Sequence, residues 1–351
     1  MGAPEFLQGN IALAESAIRA GCRFYFGYPI TPASEMSEYF AAQMRDRDVT
    51  FVQAETEVAA FNMIAGVAAG GQRGMTGTSG PGLSLGAEAM SFMAAAGLPT
   101  VVVDVMRPGP GDGEILAAQG DYFQACKGNG HGDYNVLVLA PWSVQEEADL
   151  AYEAFDLAEK YLNPVILLTD ASLGKMRESC VLPEPKAIPA VTWKGALTGS
   201  EDGGKKVITT CGDGADQYEA FNRALQKKFA KIAAAEQRWE STGCQDADIV
   251  IVAYGSVARI AMGAMELARS AGMKIGLIRP ISLWPFPKKA FEGLDGKQFA
   301  VFELSAGQMV EDVMLSVKNK DDVHFYGRMG GNLPTPAELY GELRKIAGGG
   351  R

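Results

Sequence analysis

An α/β fold made of two doubly wound parallel-sheet domains is what this sequence predicts, and three observations carry the prediction. Short apolar runs alternate with segments of helical length, the order that generates parallel sheets. Several runs are mostly apolar rather than alternating, among them Pro99-Thr100-Val101-Val102-Val103-Asp104-Val105 and Pro164-Val165-Ile166-Leu167-Leu168-Thr169, so both faces of those strands are covered. A polar, proline-containing stretch then breaks the alternation, which resumes after it.

In the first unit Asn10 is expected to cap a helix running through Ala20, with Gly21 ending it in the left-handed conformation. Strands are expected at 22–27, 49–53, 73–78, 99–105, 134–140 and 164–169, with a covering helix from Val144 to Leu162. From about Val181 to Gln245 the character changes. Leu182-Pro183-Glu184-Pro185 and Pro189 read as extended connector, followed by a long polar helix from Asp216 to about Trp239. Phe221, Leu225, Phe229 and Ile232 recur on its turns, so one stripe of it is covered. Four further strands at 248–253, 274–278, 299–302 and 323–326, separated by helices, predict a smaller parallel sheet. The expected domain bounds are 1–185, 186–245 for the connector with its helix, and 246–351; no internal repeat is found.

Bulk properties narrow the function classes. Hydrophobic content of 47% with 21% charged residues is that of a globular chain long enough for two cores. A formal net charge of −10 excludes nucleic acid as a partner and implies that an acidic redox protein docks mainly on another chain. Met1-Gly2-Ala3-Pro4-Glu5-Phe6 has neither the basic nor the apolar part of a signal peptide, and no apolar stretch reaches transmembrane length. The five cysteines, Cys22, Cys126, Cys180, Cys211 and Cys244, include no C-x-x-C pair. That spacing suits reduced thiols in the cytoplasm and supplies no zinc or iron–sulfur ligand set.

The chemistry concentrates in two segments. In Phe26-Gly27-Tyr28-Pro29-Ile30-Thr31-Pro32, two prolines hold a threonine out of regular structure just after a strand. Glu57 opens Glu57-Val58-Ala59-Ala60-Phe61-Asn62-Met63-Ile64-Ala65-Gly66, a helix too poor in charge to face water. An acid there is costly unless it is used. Thiamine-diphosphate enzymes need such an acid against N1′ of the aminopyrimidine, where it favours the imino tautomer that deprotonates C2. The structural alternative is that Glu57, with Glu55, only offsets a helix N-terminus. Thr31 suits hydrogen bonding to a substrate carbonyl or carboxylate, its alternative being a cap or turn. Arg107, at the end of a buried strand and before Pro108-Gly109-Pro110-Gly111-Asp112-Gly113, suits a carboxylate; a surface salt bridge is its alternative. The loop Thr76-Gly77-Thr78-Ser79-Gly80-Pro81-Gly82 lets backbone approach a cofactor but is not a P-loop.

Other motifs are set aside. Cys211-Gly212-Asp213-Gly214 opens like a diphosphate–metal motif, yet it lies in the connector without paired asparagines downstream, and reads as a turn. His131, in Gly128-Asn129-Gly130-His131-Gly132-Asp133, reads as a loop histidine, with a place in the site as its alternative. His324, on a strand of the second unit, makes no metal pair with it. No metal ligand set is expected in this chain.

With these residues in view, the chain resembles the alpha subunit of the 2-oxoacid:ferredoxin oxidoreductases. The matching motifs are Gly27-Tyr28-Pro29-Ile30-Thr31-Pro32, Gln53-Ala54-Glu55-Thr56-Glu57-Val58-Ala59-Ala60, the Thr76–Gly82 loop and Gln119-Gly120-Asp121-Tyr122-Phe123-Gln124. They continue with Arg279-Pro280-Ile281-Ser282-Leu283-Trp284-Pro285-Phe286-Pro287, Gly307-Gln308-Met309-Val310-Glu311-Asp312-Val313 and Gly327-Arg328-Met329-Gly330-Gly331. The resemblance runs over nearly the whole chain, and the C-terminal motifs look most like branched-chain, 2-oxoisovalerate-type members. It implies a pyrimidine-binding domain followed by a transketolase C-terminal-like domain. It implies that Glu57 holds N1′, that Thr31 and Arg107 contact substrate, and that Tyr28, Pro29, Thr78, Ser79 and Gly80 line the cofactor. Thiamine diphosphate would be shared with a beta subunit carrying magnesium and a [4Fe-4S] cluster. Gamma and ferredoxin-like delta subunits, coenzyme A as co-substrate and ferredoxin as electron acceptor complete the expectation. The resemblance further implies that Ala33-Ser34, where members differ, touches the substrate pocket. The rivals are the same chemistry on 2-oxoglutarate, pyruvate or an aryl 2-oxoacid, a non-catalytic assembly subunit, and a nucleotide-binding protein. The last is disfavoured because no G-x-G-x-x-G follows the first strand.

Overall fold

The computed structural model describes residues 3–128, 130–199 and 205–349. Met1, Gly2 and Asn129, on which the N-terminal and 128–133 expectations partly rest, lie outside the described residues. The strands are β1 (Glu5–Gln8), β2 (Phe24–Gly27), β3 (Thr50–Gln53), β4 (Gly74–Thr78), β5 (Val101–Met106), β6 (Leu137–Leu139) and β7 (Val165–Asp170). They continue as β8 (Arg177–Cys180), β9 (Trp239–Thr242), β10 (Ile249–Val252), β11 (Ile275–Pro280), β12 (Ser282–Trp284), β13 (Gln298–Glu303) and β14 (Val323–Gly327).

The larger sheet has the order β12-β6-β7-β5-β4-β2-β3, and β2 through β7 are parallel within it. All six residues of β5 and of β7 are buried, as continuous apolar runs require. The smaller sheet has the order β14-β13-β10-β11-β9, parallel except for β9. The predicted fold class therefore holds, with antiparallel strands added at the edges. A short antiparallel pair, β1 with β8, lies apart from both sheets.

Several local expectations are corrected. The first helix spans Gly9–Arg19, so Asn10 lies inside it rather than capping it. Its amide reaches back to Pro32 O at 2.8 Å and to Glu35 Oε2 at 2.9 Å, tying the helix to the turn after β2. The long connector helix spans Ala215–Ala235 and stops short of Trp239. There Glu236 turns in to meet Lys160, Tyr161 and Arg238, and Trp239–Thr242 pairs with β11 as the missed strand β9. Phe229 and Ile232 are buried, but Phe221 and Leu225 are only half-buried, so the covered stripe belongs to the second half of that helix.

The two units interlock. β12 leaves the C-terminal unit to pair antiparallel with β6 of the first sheet. Arg279, at the end of β11 and 1% exposed, forks onto Glu146 at 2.8 and 2.6 Å, reaches Glu240 at 2.7 Å and stacks on Trp142. A guanidinium this deep is tolerable only because its charge and planar fork are matched.

One buried acid lacks such a match. Glu147, in the helix Val144–Tyr161, is fully buried; Oε1 accepts from Thr169 Oγ1 at 2.7 Å, while Oε2 has no partner. Burial pushes its carboxyl up to about 8, against the Thr169 hydrogen bond and aided by the charges of Asp170 and Glu178. Between the ordinary value of 4.5 and about 8 the folded chain keeps a proton that the unfolded chain has released. Stability therefore falls as pH rises through that window and levels off above it. Glu147→Gln should remove this fall, on the order of 2–4 kcal/mol. Denaturant titrations of both proteins at the two ends of the window check it; parallel pH profiles would refute it.

Candidate active site

The carboxyl ends of the parallel strands lie side by side in the order β5, β4, β2, β3. Each is followed by a segment singled out in the sequence: Arg107 after β5, Thr78-Ser79-Gly80 at the end of β4, Tyr28 to Thr31 after β2, and Glu57 beyond β3. The chain moves outward on one side of β2 to reach β3 and on the other to reach β4, and such a reversal opens a crevice at the carboxyl edge.

Glu57 opens the helix Glu57–Ala69, but Thr56 caps it, accepting from Ala59 N at 3.2 Å. Glu57 is 5% exposed whereas Glu55 stands in solvent. An acid that served only the helix dipole would keep its hydration, so its inward placement favours use. Among the described residues no side chain donates a hydrogen bond to its carboxylate. It lies against Gly82, where an added β-carbon would come 2.7 Å from Glu57 Oε1 and would strike Thr78 Oγ1. Glycine is therefore required for the loop after β4 to approach this acid. Thr78 and Ser79 are fully buried, and Ser79 Oγ has no partner. Tyr28 and Pro29 stand exposed beyond β2.

Arg107 and Thr31 are brought together by backbone. Arg107 Nη1 donates to Thr31 O at 2.8 Å, and its Nη2 lies 3.9 Å from the exposed Asp112 carboxylate. Its Nε is buried without a partner. The side chain borders a cleft of about 420 Å³ between the two units, walled by Gly80, Asp121 and the 108–111 loop on one side and by Leu304–Ala306, Gln308 and Met329 on the other.

Two buried acids beside these residues were given no role in the sequence reading. Asp104, completely buried in β5, has no donor for either oxygen and faces the Asp121 carboxyl. Asp121 accepts from Gln124 Nε2 at 2.6 Å and borders the cleft. Burial raises both acids, Asp121 to about 6 and Asp104 well above the carboxylate range. The Gln124 hydrogen bond, the Asp104 carboxyl beside it and the Arg107 charge hold Asp121 lower than Asp104, which the charge of Asp121 raises further. The available signal was an aspartate inside the otherwise apolar run Val101-Val102-Val103-Asp104-Val105.

Segment 119–124 is fastened to the second unit. Gln119 N donates to Leu304 O at 2.8 Å, its amide nitrogen donates to Tyr254 O at 2.9 Å, and its amide oxygen accepts from Leu304 N at 3.0 Å. Gln308 returns the arrangement, accepting from Phe123 N and donating to Gly120 O, both at 2.8 Å. Tyr122 and Lys127 both reach Asp312 at 2.6 Å. Two of the quoted motifs thus bond to each other.

The remaining candidates lie elsewhere. His131 is exposed and outside the cleft wall, and His324 bonds to Gln298 on the neighbouring strand at 2.7 Å. Gly214, at φ +90°, precedes the connector helix, and Cys211–Gly214 is irregular chain leading into it. Among the described residues no group of three His, Cys, Asp or Glu side chains is arranged to hold a metal ion, and no helix is long and apolar enough to cross a membrane.

Comparisons with known proteins identify the family. Residues 15–238 match the family described as pyruvate flavodoxin/ferredoxin oxidoreductase, thiamine diphosphate binding, and residues 247–339 match pyruvate:ferredoxin oxidoreductase core domain II. The chain is 48% identical to the ketoisovalerate oxidoreductase subunit VorB of Methanothermobacter thermautotrophicus, over 99% of both chains. It is 36% identical to the 2-oxoglutarate synthase subunit KorA of Methanocaldococcus jannaschii, over 95% of this chain and 98% of the other. Among solved structures, a 2-oxoglutarate:ferredoxin oxidoreductase from Magnetococcus marinus, with 2-oxoglutarate, coenzyme A and succinyl-CoA bound, superposes with a TM-score of 0.89 at 27% identity. The match covers 98% of this chain and 65% of that longer one. A split-gene transketolase, 12% identical with a TM-score of 0.56, shares the fold alone. The chain belongs to the 2-oxoacid:ferredoxin oxidoreductases, and within that thiamine-diphosphate-binding family it is an alpha subunit.

Proposed function

We propose that this chain supplies the acid and the substrate-carboxylate anchor for oxidative decarboxylation of a branched-chain 2-oxoacid. One 2-oxoacid, one coenzyme A and two oxidised ferredoxins become acyl-CoA, carbon dioxide, a proton and two reduced ferredoxins. The observation that carries the reading is the Arg107 guanidinium, pinned to Thr31 O at the cleft while its buried Nε stays free. A planar cation held by one arm is prepared for a bidentate carboxylate.

The residues fit thiamine diphosphate on this chain's side. Glu57 is a buried acid with no competing side-chain donor, and Gly82 keeps the space beside it clear. When bound, the cofactor supplies the carbon nucleophile and accepts the electron pair that decarboxylation leaves behind. Glu57 would hold a proton at the aminopyrimidine ring nitrogen, with Tyr28, Pro29, Thr78, Ser79 and Gly80 lining the cofactor. Arg107 would hold the substrate carboxylate and the Thr31 hydroxyl would orient the 2-oxo oxygen. Exclusion of water in the assembled site would favour loss of carbon dioxide, because the carboxylate is the group that loses most solvation there. The diphosphate, magnesium and [4Fe-4S] clusters are assigned to beta, gamma and delta partners, consistent with cysteines scattered singly in this chain. Its electrons would pass one at a time to ferredoxin, in the cytoplasm.

A monocarboxylate fits the cleft better than a dicarboxylate. Among the described residues walling it Arg107 is the sole cation, so no second positive charge stands there for another carboxylate. The full-length similarity to a ketoisovalerate enzyme supports the same choice. Initial rates of the purified complex on 2-oxoisovalerate, 2-oxoglutarate, pyruvate and an aryl 2-oxoacid should give the highest kcat/KM for the branched-chain acid. A preference for 2-oxoglutarate would refute it.

The role of Glu57 has its own test. In the assembled complex Glu57→Gln should slow C2-proton exchange of bound cofactor by about 10²–10⁴-fold. The exposed neighbour variant Glu55→Gln should leave exchange unchanged. Exchange that is unaffected in the first variant, or lost only in the second, would overturn the assignment.

A further inference from the structure

Asp104 sits between Val103 and Val105, with Thr78 of β4 and Leu168 of β7 as its in-register neighbours, and its side chain is wholly removed from water. The group opposite its two unbonded oxygens is the Asp121 carboxyl. Asp121 uses Oδ1 for Gln124, leaves Oδ2 unpartnered and lies against Gly80, where an added β-carbon would come 2.9 Å from both oxygens. Two buried carboxyl groups in contact attract only when a proton lies between them. As a packing element the pair has no merit, since apolar side chains of the same size would fill β5 without the desolvation cost.

What the pair does have is a position. Arg107 begins three residues beyond Asp104, borders the same cleft as Asp121, and its charge acts on Asp121. The other titratable groups around the pair are Asp112 on the loop after β5, Tyr122 and Cys126 on the helix after Asp121, and Tyr254 from the second unit. Asp170 on β7 and Glu57 beyond Thr78 lie nearby, as do Asp312, bonded to Tyr122, and Lys127, which is paired with Asp312. Of the cations Arg107 is the one whose charge acts on Asp121.

We propose that Asp104 and Asp121 are a proton-sharing positioning pair whose charge sets how tightly Arg107 holds the substrate carboxylate. The proposal rests on the reading of Arg107 given above. Its sign follows from the acids themselves. Below about 6 the pair is neutral and the whole charge of Arg107 is available to a ligand. Above it, the pair carries one negative charge that partly neutralises the guanidinium. Asp104, raised much further, keeps the shared proton. Affinity for a carboxylate ligand therefore falls as pH rises through about 6, while the ligand itself stays ionised.

The test is calorimetric titration of the assembled holoenzyme with 2-hydroxyisovalerate, a carboxylate of the same skeleton without the reactive oxo group, from pH 5 to 8. KM and kcat for 2-oxoisovalerate are measured alongside. Wild-type Kd should rise about tenfold across the range, the scale of one partly screened unit charge. Asp121→Asn should give a low Kd with no step, and an effect on KM larger than on kcat. Asp104→Asn should retain the step but at higher pH, because an amide donates a weaker hydrogen bond to Asp121 than the protonated acid whose bond lowers it. A merely structural pair would lower assembly or activity without moving the step. A flat wild-type profile, or wild-type steps in the Asp variants, would overturn the proposal; the wild-type profile and Asp104→Asn keep it testable if Asp121→Asn fails to assemble. Arg107→Lys separates the two levels. If it weakens Kd while the Asp variants behave as wild type, the pair proposal alone fails. If it leaves Kd unchanged, the reading of Arg107 fails with it.

Discussion

Gln119 is the joint on which the candidate site depends. Its backbone and both atoms of its fully buried amide bond to Leu304 and Tyr254, so segment 119–124 belongs structurally to both units at once. Each such bond adds only about 1 kcal/mol net, but losing one partner strands buried polar groups at about 1–3 kcal/mol apiece. That asymmetry fixes Asp121 at the cleft more firmly than apolar contact could. It also gives the second unit a role at the site: the 304–308 segment is the opposite wall of the cleft and the anchor of the near one.

Around this joint, buried acids sort by whether burial or pairing wins. Burial raises Glu236, yet hydrogen bonds from Lys160, Tyr161 and Arg238 outweigh it and hold the carboxyl down at about 2. Glu15 is likewise desolvated but ends lowered by Arg47, Arg19 and Tyr39. These are structural ions. Asp104 and Asp121 have no cation in contact and stay raised, so burial wins there and the charge of the pair can change with pH. Glu147 shows that raised acids also occur in plain packing, so geometry at the cleft, and not the shift, separates the two cases.

Most of the scaffold was legible in the sequence because parallel strands buried on both faces leave continuous apolar runs. β5 and β7 are the plainest examples. Glu57 was legible for the complementary reason, an acid opening an apolar helix. What escaped depends on partners distant in sequence. β9 and β12 are short and bounded by residues that read equally as helix end or loop; only pairing with β11 and β6 makes them strands. Asn10 looked like a cap because local spacing cannot show Pro32 and Glu35 waiting beside it. The Asp104–Asp121 contact joins a strand to a loop seventeen residues on, and no local pattern encodes it. The Gln119 and Gln308 segments were quoted as resemblances and acquire a physical meaning only as mutual partners.

On the proposed reading this chain holds one half of a cofactor site: Glu57, Thr31 and Arg107 would face a cofactor whose diphosphate and metal another chain holds. Calorimetric titration of thiamine diphosphate with magnesium, into this chain alone and into the assembled complex, tests it most directly. A shared site gives saturable binding by the complex and none by the chain alone over the same concentration range. Equally tight, stoichiometric binding by the isolated chain would contradict it.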